Sequence, residues 1–142
     1  MFVQDRDSAR RFFLDTWSRH KSMVMLEPLE KLVIGVILEH PEYHPLLDDL
    51  DGAMSFGTEP GSGSENPFMH MGMHIAIREQ VQADRPMGIT KLYSAMIARG
   101  HTDQHNLEHK MMECLGGSLW RAQRENRLPD ENEYLECIKK LG

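Results

Sequence analysis

The sequence is poor in the features that mark disulfide-rich or membrane-spanning proteins. Only two of its 142 residues are cysteines, Cys114 and Cys137, with no CxxC pair. We therefore expect no disulfide framework and a location in the reducing cytoplasm. The longest apolar run, from Leu32 to Leu38, is interrupted by Gly35 and falls far below the roughly 20 residues that cross a bilayer. The N-terminus, MFVQDRDSARR, lacks the apolar run of a secretory signal. We therefore expect no membrane role.

Positive charge is also scarce. The chain has 16 Lys and Arg against 22 Asp and Glu, a formal net charge of −6. Because nucleic-acid binding depends on a basic surface that contacts phosphates, we expect no nucleic-acid partner. With 40% hydrophobic residues, a chain of this length forms one core more readily than two. The sequence therefore predicts a single domain over residues 1–142.

Strand patterns are missing, and helical ones replace them. No segment alternates with period two, whereas apolar residues recur at helical spacing in about six segments. Capping residues and prolines set their limits. The predicted helices run from about Ser8 to Lys21, from Pro28 to a break at His40, from Pro67 to Arg85-Pro86, and from about Ile89 to Arg99. A long helix capped by Thr102 and Asp103 ends at about Glu125, a short terminal helix follows Pro129-Asp130, and one extra turn includes Leu46 and Leu47. The fold class predicted is all-α, a single-domain helical bundle.

One segment has the composition of a long loop. Residues 48–65 are rich in Asp, Gly, Ser and Pro, residue types that favour turns over helices. We predict a loop within the domain and not a domain boundary.

Histidine is the residue type that points to chemistry. Six of the eight histidines form three pairs with a spacing of four: His40 and His44, His70 and His74, His105 and His109. Residues four apart lie on the same face of a helix, so each pair can direct two imidazoles at one centre. Since about six helices in one small domain leave only one core, we expect the inward-facing histidines to share it.

Two of these pairs lie inside predicted helices and face the core. His70 and His74 project on the same side as Ile77 and Val81. In the later helix His105 and His109 project with Met112 and Gly116, and Glu113 extends their row by one turn. Inward His and Glu residues build metal sites in helical bundles. Imidazole and carboxylate ligands suit iron, manganese, zinc, nickel or copper, and the metal stays open.

Three further residues are weaker ligand candidates. His44 and His40 lie in the proline-broken segment HPEYHP, where their side chains can also hold a tight turn. Glu79 follows His74 by five residues, which turns it about 140° off the histidine row. His20 is placed to interact with the C-terminal dipole of the first helix, and His101 is interpreted as a cap or surface residue.

A hypothesis without metal competes with the metal site. Each histidine can be a buried neutral imidazole that is hydrogen-bonded to the backbone. The chain would then be a non-catalytic helical interaction or structural module in which histidines, Trp17, Trp120 and tyrosines form a hydrogen-bonded core. Three pairs in one core favour metal, because each buried nitrogen left unsatisfied costs about 1 to 3 kcal/mol. The eleven methionines are interpreted as core residues in preference to copper(I) ligands.

Three segments carry a family resemblance that covers nearly the whole chain. HPEYHPLL, NPFMHMGMHIAIREQ and HNLEHKMMECLGGSLWRAQR resemble an uncharacterised family of small bacterial proteins, a domain of unknown function without an assigned reaction. The family patterns NPFxHxxxHxAIxEQ and HxxxHxxMExL are matched at His70, His74, Glu79, Gln80, His105, His109, Met112 and Glu113. A weaker architectural analogy links the chain to haemerythrin-like and DinB-like metal-binding bundles. Haemerythrin-like sites use a His and a bridging carboxylate five residues apart, which is the basis for retaining Glu79.

The sequence thus predicts a bundle that binds one or two transition-metal ions (iron, zinc, manganese or nickel). Its main ligands are His70, His74, His105 and His109, Glu113 is the favoured carboxylate, and His44, His40 or Glu79 complete the set. No nucleophile, phosphate-binding loop or cofactor motif accompanies them, so no enzymatic activity is assigned. A homo-oligomer and an unidentified small-molecule ligand remain open.

Overall fold

A computed structural model describes residues 6–56, 66–100 and 103–141, and within these ranges every regular element is helical. The helices are α1 (Arg6–Lys21), α2 (Pro28–Leu38), α3 (His44–Leu47), α4 (Leu50–Ser55), α5 (Pro67–Ala83), α6 (Ile89–Ala98), α7 (Gln104–Arg124) and α8 (Glu131–Lys139), with a 3-10 turn at Pro41–Tyr43. The predicted all-α class is confirmed. The described ranges contain eight α-helices instead of about six, because short helices form on either side of Asp48.

The predicted starts of the long helices are confirmed by side-chain caps. Asn66 accepts a hydrogen bond from the Phe68 N–H at 2.9 Å, and Asp103 accepts one from the Asn106 N–H at 2.9 Å. Asp130 caps α8 through two backbone N–H groups. These acceptors satisfy donors that the first helical turn leaves without partners. The local sequence is therefore sufficient to set where these helices begin.

One helix lies within the segment predicted as a loop. Helix α4 occupies Leu50–Ser55, and Asp49 caps it by accepting from the Gly52 N–H. Ala53 faces inward and is fully buried. Residues 57–65 lie outside the described residues. The interpretation of residues 48–65 as loop is therefore wrong for the helical part, where the burial of one apolar face outweighs a loop-like composition.

The chain divides into two units, residues 1–75 and 76–142, and the boundary falls inside α5. In the first unit, α1, α2 and α3 pack around a hydrophobic core. The largest contributors to this core are Phe13, Trp17, Val33, Ile37, Phe68 and Met71. The phenyl rings of Phe13 and Phe68 meet edge to face at 5.7 Å, a favourable aromatic geometry.

A buried arginine in the first unit caps the C-terminal end of α4. Arg10 on α1 is only 1% exposed, and its Nη1 donates to the carbonyl oxygens of Ala53 at 2.8 Å and Phe56 at 2.7 Å. Its guanidinium also lies 4.8 Å from the centroid of the Phe68 ring. The last carbonyls of a helix have no intrahelical donors, and a cation is favoured at this end of the helix dipole. Arg10 thereby fixes α4 to α1.

The second unit contains the end of α5 and helices α6 to α8. Its buried residues include Ile77, Ile89, Leu107, Met111 and Ile138. Helices α7 and α8 are joined by a disulfide between Cys114 and Cys137, whose Cα atoms are 5.7 Å apart. An ion pair between Arg121 and Glu133 links the same two helices.

This disulfide corrects the expectation that the cysteines form no such bond. The two residues are 23 positions apart, and only the packing of α8 against α7 brings them together. Spacing along the chain gives no sign of that packing. Disulfides persist mainly in oxidising compartments, so this disulfide counts against the predicted location in a reducing cytoplasm. That location stays a prediction.

No helix within the described ranges is both long and apolar enough to cross a membrane. The prediction of one domain over residues 1–142 is not tested by the division into two units.

Replacing Arg10 by alanine is expected to lower the free energy of unfolding by about 3 kcal/mol, because buried carbonyl oxygens at the end of α4 lose a charged donor. The measurement is urea denaturation followed by circular dichroism. The control is Arg11→Ala, an exposed neighbour on the same helix, with an expected change within about 0.5 kcal/mol. Equal effects of the two substitutions would contradict the role of Arg10.

Reduction of the disulfide is expected to lower the free energy of unfolding by about 3 kcal/mol, since the bond closes a loop of this length in the unfolded chain. Urea denaturation with and without reductant measures the change. A Cys137→Ser variant should show the same loss and no response to reductant. Two titratable thiols in the unfolded, unreduced protein would refute the pairing.

Candidate metal centre

Three histidines lie together in the first unit. The ring centroids of His40 and His70 are 5.0 Å apart, those of His40 and His74 are 5.0 Å apart, and those of His70 and His74 are 4.9 Å apart. His40 and His74 are buried, at 2% and 0% exposure, and His70 is half-buried. We call these residues the histidine triad. The inward orientation predicted for His74 is confirmed, and His40, ranked low from the sequence, contacts both histidines of α5.

A backbone contact fixes the orientation of the His40 ring. Its Nδ1 lies 2.8 Å from the carbonyl oxygen of Val36. A carbonyl oxygen only accepts, so Nδ1 carries the hydrogen, and in the neutral ring Nε2 carries the lone pair. Metal-binding histidines commonly donate their second ring N–H to a carbonyl in this way. The proline-broken turn therefore holds His40 in the tautomer that a metal ligand requires.

A tyrosine that the sequence did not indicate borders the triad. The ring of Tyr43 stacks on His40 with a centroid distance of 5.2 Å and an interplanar angle of 1°, and its centroid is 6.3 Å from that of His70. Its position in HPEYH, between two candidate histidines, is the signal that would have identified it.

His44 points to a different part of the first unit. Its Nε2 lies 2.9 Å from the carbonyl oxygen of Ile37, and its ring packs 4.4 Å from that of Trp17. The indole N–H of Trp17 donates to Asp48 at 2.8 Å. Hydrogen bonds from Lys21 and Trp17 lower the pKa of Asp48. His44 is thus part of a polar and aromatic cluster at the ends of α1 and α3.

The second unit holds the other helical pair. The rings of His105 and His109 are 4.2 Å apart with an interplanar angle of 69°, and both residues are half-buried. Met112, predicted on the same inward side, is buried at 8% exposure. The spacing of four therefore brings these two imidazoles together on one face of α7, as predicted.

The burial of the carboxylates does not follow the order in which the sequence predicted them as ligands. Glu113, the favoured carboxylate, is exposed, and Glu79 is half-buried. Glu108, which sequence reasoning missed, is fully buried. The Arg78 Nε donates to both of its carboxylate oxygens, at 3.1 and 3.0 Å. A charged residue beside Leu107, in the apolar stripe of α7, was the available signal.

The aromatic core of the competing hypothesis is only partly present. Trp17 is buried, but Trp120 is 58% exposed, with the guanidinium of Arg124 at 4.9 Å from its ring. The expectation that Trp120 faces inward is wrong, because its position on α7 lies away from the buried stripe.

The remaining sequence predictions concern peripheral residues. His20 lies in the last turn of α1, where it was predicted, and its ring is 5.9 Å from that of Trp17. His101 lies outside the described residues. Of the methionines interpreted as core, Met71 and Met111 are fully buried, whereas Met69 is 64% exposed.

Gln80, one of the motif residues, has a structural partner. The Tyr134 hydroxyl donates to its Oε1 at 2.7 Å. Burial of Tyr134 raises the pKa of its hydroxyl above the usual value, because a phenolate is poorly solvated away from water. Gln80 therefore holds α8 against the end of α5 within the second unit.

A comparison with known protein families identifies the family to which these motifs belong. Residues 5–140 match the model of a domain of unknown function, DUF1841. The chain belongs to this family. The match spans the histidine triad, the His105 and His109 pair and the disulfide, so all of these features lie within the DUF1841 domain. Searches of curated proteins and of solved structures gave no match.

Tyr134 is expected to make the free energy of unfolding of this DUF1841 domain depend on pH. Its pKa is raised in the folded state above the ordinary value of 10.0, so its contribution to stability is full below pH 10 and is lost as the pH rises through the folded pKa. We expect a smaller decline in the free energy of unfolding between pH 9 and 11 in Tyr134→Phe than in the wild type. Urea denaturation at each pH measures it, and identical declines would contradict the prediction.

Proposed function

We propose that this DUF1841 domain binds one or two transition-metal ions through histidine side chains. The ligands ranked first are His40, His74, His105 and His109, with His70 next to them in rank. The observation that carries the proposal is the histidine triad of the first unit, in which three imidazole rings lie within 5.0 Å of one another. One ion can accept a nitrogen from each of several such rings.

The chemistry of the donors supports a borderline transition metal. Neutral imidazole nitrogens suit iron, zinc, manganese and nickel, among which the ligands do not choose. Both cysteines are bound to each other, so thiolate ligation is not part of the proposal. The His40 tautomer supports it, because a fixed second nitrogen is the usual arrangement around a metal-binding histidine.

Carboxylates and His44 are ranked lower. Glu113 is exposed on α7 and Glu79 is half-buried on α5, so both are less buried than His40 and His74. His44 already contacts the carbonyl oxygen of Ile37 through Nε2, which leaves Nδ1 as its only possible donor atom. These three residues remain candidates of second rank.

A metal held in this way with an open position would activate water or bind a small ligand. The histidines supply ligands and hold them in fixed orientations, and we assign no reaction to the domain. The contrasting proposal, a structural module with a hydrogen-bonded histidine core and no metal, is weakened by the exposure of Trp120 and by three histidine rings converging from two elements.

Metal analysis of protein purified without a histidine tag tests the proposal. We expect at least about one ion per chain after reconstitution, and at least a tenfold loss of metal in His70→Ala and His109→Ala, since each removes a ligand or its neighbour. Chelation should also lower the melting temperature, because an ion bound only by the folded state stabilises it.

The matched control is His20→Ala, which removes a histidine that packs on Trp17 and should leave the metal content unchanged. Background metal in the wild type after reconstitution with zinc, iron(II), manganese and nickel would refute the proposal in favour of the metal-free module. Loss of metal in all three variants alike would show binding that does not depend on the proposed ligands.

A further inference from the structure

Glu108 is a buried carboxylate on α7, placed in sequence between the two histidines of the second unit. Its side chain is 0% exposed, and that of Arg78 is 10% exposed. Arg78 Nε donates to both oxygens of Glu108, at 3.1 and 3.0 Å. This bidentate ion pair restricts the orientation of the carboxylate.

Stability alone gives a poor account of this pair. Removing two charges from water is costly, and replacing a buried ion pair with apolar residues of similar size is often neutral or stabilising. The apolar positions around it, Leu107 and Met111, are fully buried and show that α7 can supply such residues. Packing alone therefore does not explain why residue 108 is charged, and we infer that Glu108 has a further role.

Helix geometry points the carboxylate at one histidine. Glu108 follows His105 by three residues, a spacing that places two side chains side by side on a helix. Helical side chains lean toward the N-terminus, so Glu108 lies over the turn that carries His105. His109, the next residue in sequence, is rotated by about 100° around the helix axis.

We propose that Glu108 is the positioning carboxylate of the metal site, and that it accepts a ring N–H from His105. A carboxylate has about four lone-pair directions, so the contact with Arg78 leaves room for an imidazole donor. The second nitrogen of His105 is then held with its lone pair available to the ion. This inference rests on the proposed metal binding and deepens it.

The position of Glu108 inside a His-x-x-Glu-His segment also allows another role. In zinc peptidases with this segment the histidines bind the metal, and a glutamate is the usual general base of a helical zinc site. Here Arg78 Nε donates to both carboxylate oxygens, and this fixed orientation favours a hydrogen-bond acceptor that positions His105. The exposed Glu131 on α8, which is not among the proposed ligands, serves as the carboxylate control.

The experiment compares two double variants with the wild type. Arg78→Met with Glu108→Met removes the charges and the acceptor, whereas Arg78→Met with Glu108→Gln removes the charges and keeps an acceptor oxygen. The wild type is titrated with Zn(II), Fe(II), Mn(II) and Ni(II) against a competing chelator, and the tightest-binding ion is used for all variants. Circular dichroism of each metal-free variant verifies the fold.

We expect the first double variant to bind the ion about 10- to 100-fold more weakly than the wild type. The second double variant should recover part of this loss, and Glu131→Gln should stay within about twofold of the wild type. Wild-type affinity in the first double variant would overturn the role of Glu108 while the proposed metal binding stands. No binding by the wild type would overturn both.

A measurement on the unsubstituted protein keeps the inference testable if the double variants do not fold. Nitrogen-15 NMR of the histidine rings should show one protonated, slowly exchanging nitrogen in His105 both before and after metal addition. A His105 ring whose N–H exchanges as fast as that of a solvent-exposed histidine would contradict the hydrogen bond to Glu108.

Discussion

Three buried polar side chains, each with a specific partner, order both units of this domain. Arg10 reaches the carbonyl oxygens at the end of α4, His40 reaches that of Val36, and Glu108 is held by Arg78. Leaving any of these groups without its partner would cost more than most apolar contacts contribute. Each partner is remote in sequence or lies at a helix end, so satisfying these groups also fixes how the helices meet.

The histidine triad follows from the same constraint. The two prolines of HPEYHP end α2 and start a 3-10 turn and α3, which turns His40 back toward the carbonyl of Val36. Helix α5 contributes His70 and His74 from adjacent turns of one face. A rigid helix and a turn that contains two prolines thus restrict the orientations of the three imidazole rings. Such rigid positioning of ligands is what a metal site requires.

Much of the fold was predictable from local signals. Asn66, Asp103 and Asp130 cap helices where the sequence predicts helix starts, and Gly100, with φ of +73°, follows the end of α6 as the predicted C-terminal glycine. Helix α4 was not predictable, because its glycine and acidic residues resemble a loop, whereas the burial of Ala53 and the contact with Arg10 that stabilise it depend on the tertiary structure. The disulfide and the burial of Glu108 were missed for a related reason, since each depends on a partner in another helix.

The sequence by itself determined the all-α class, the starts of α5, α7 and α8, and the pairing of histidines at a spacing of four, because these depend on capping and on a period of 3.6 residues within a single segment. Tertiary structure alone decided that His40 joins His70 and His74, that His44 packs on Trp17 instead, and that Cys114 meets Cys137. It also decided that Glu108 is buried and that Glu113 is exposed. Such contacts join residues on different elements, and their geometry is set by packing, which no local pattern encodes.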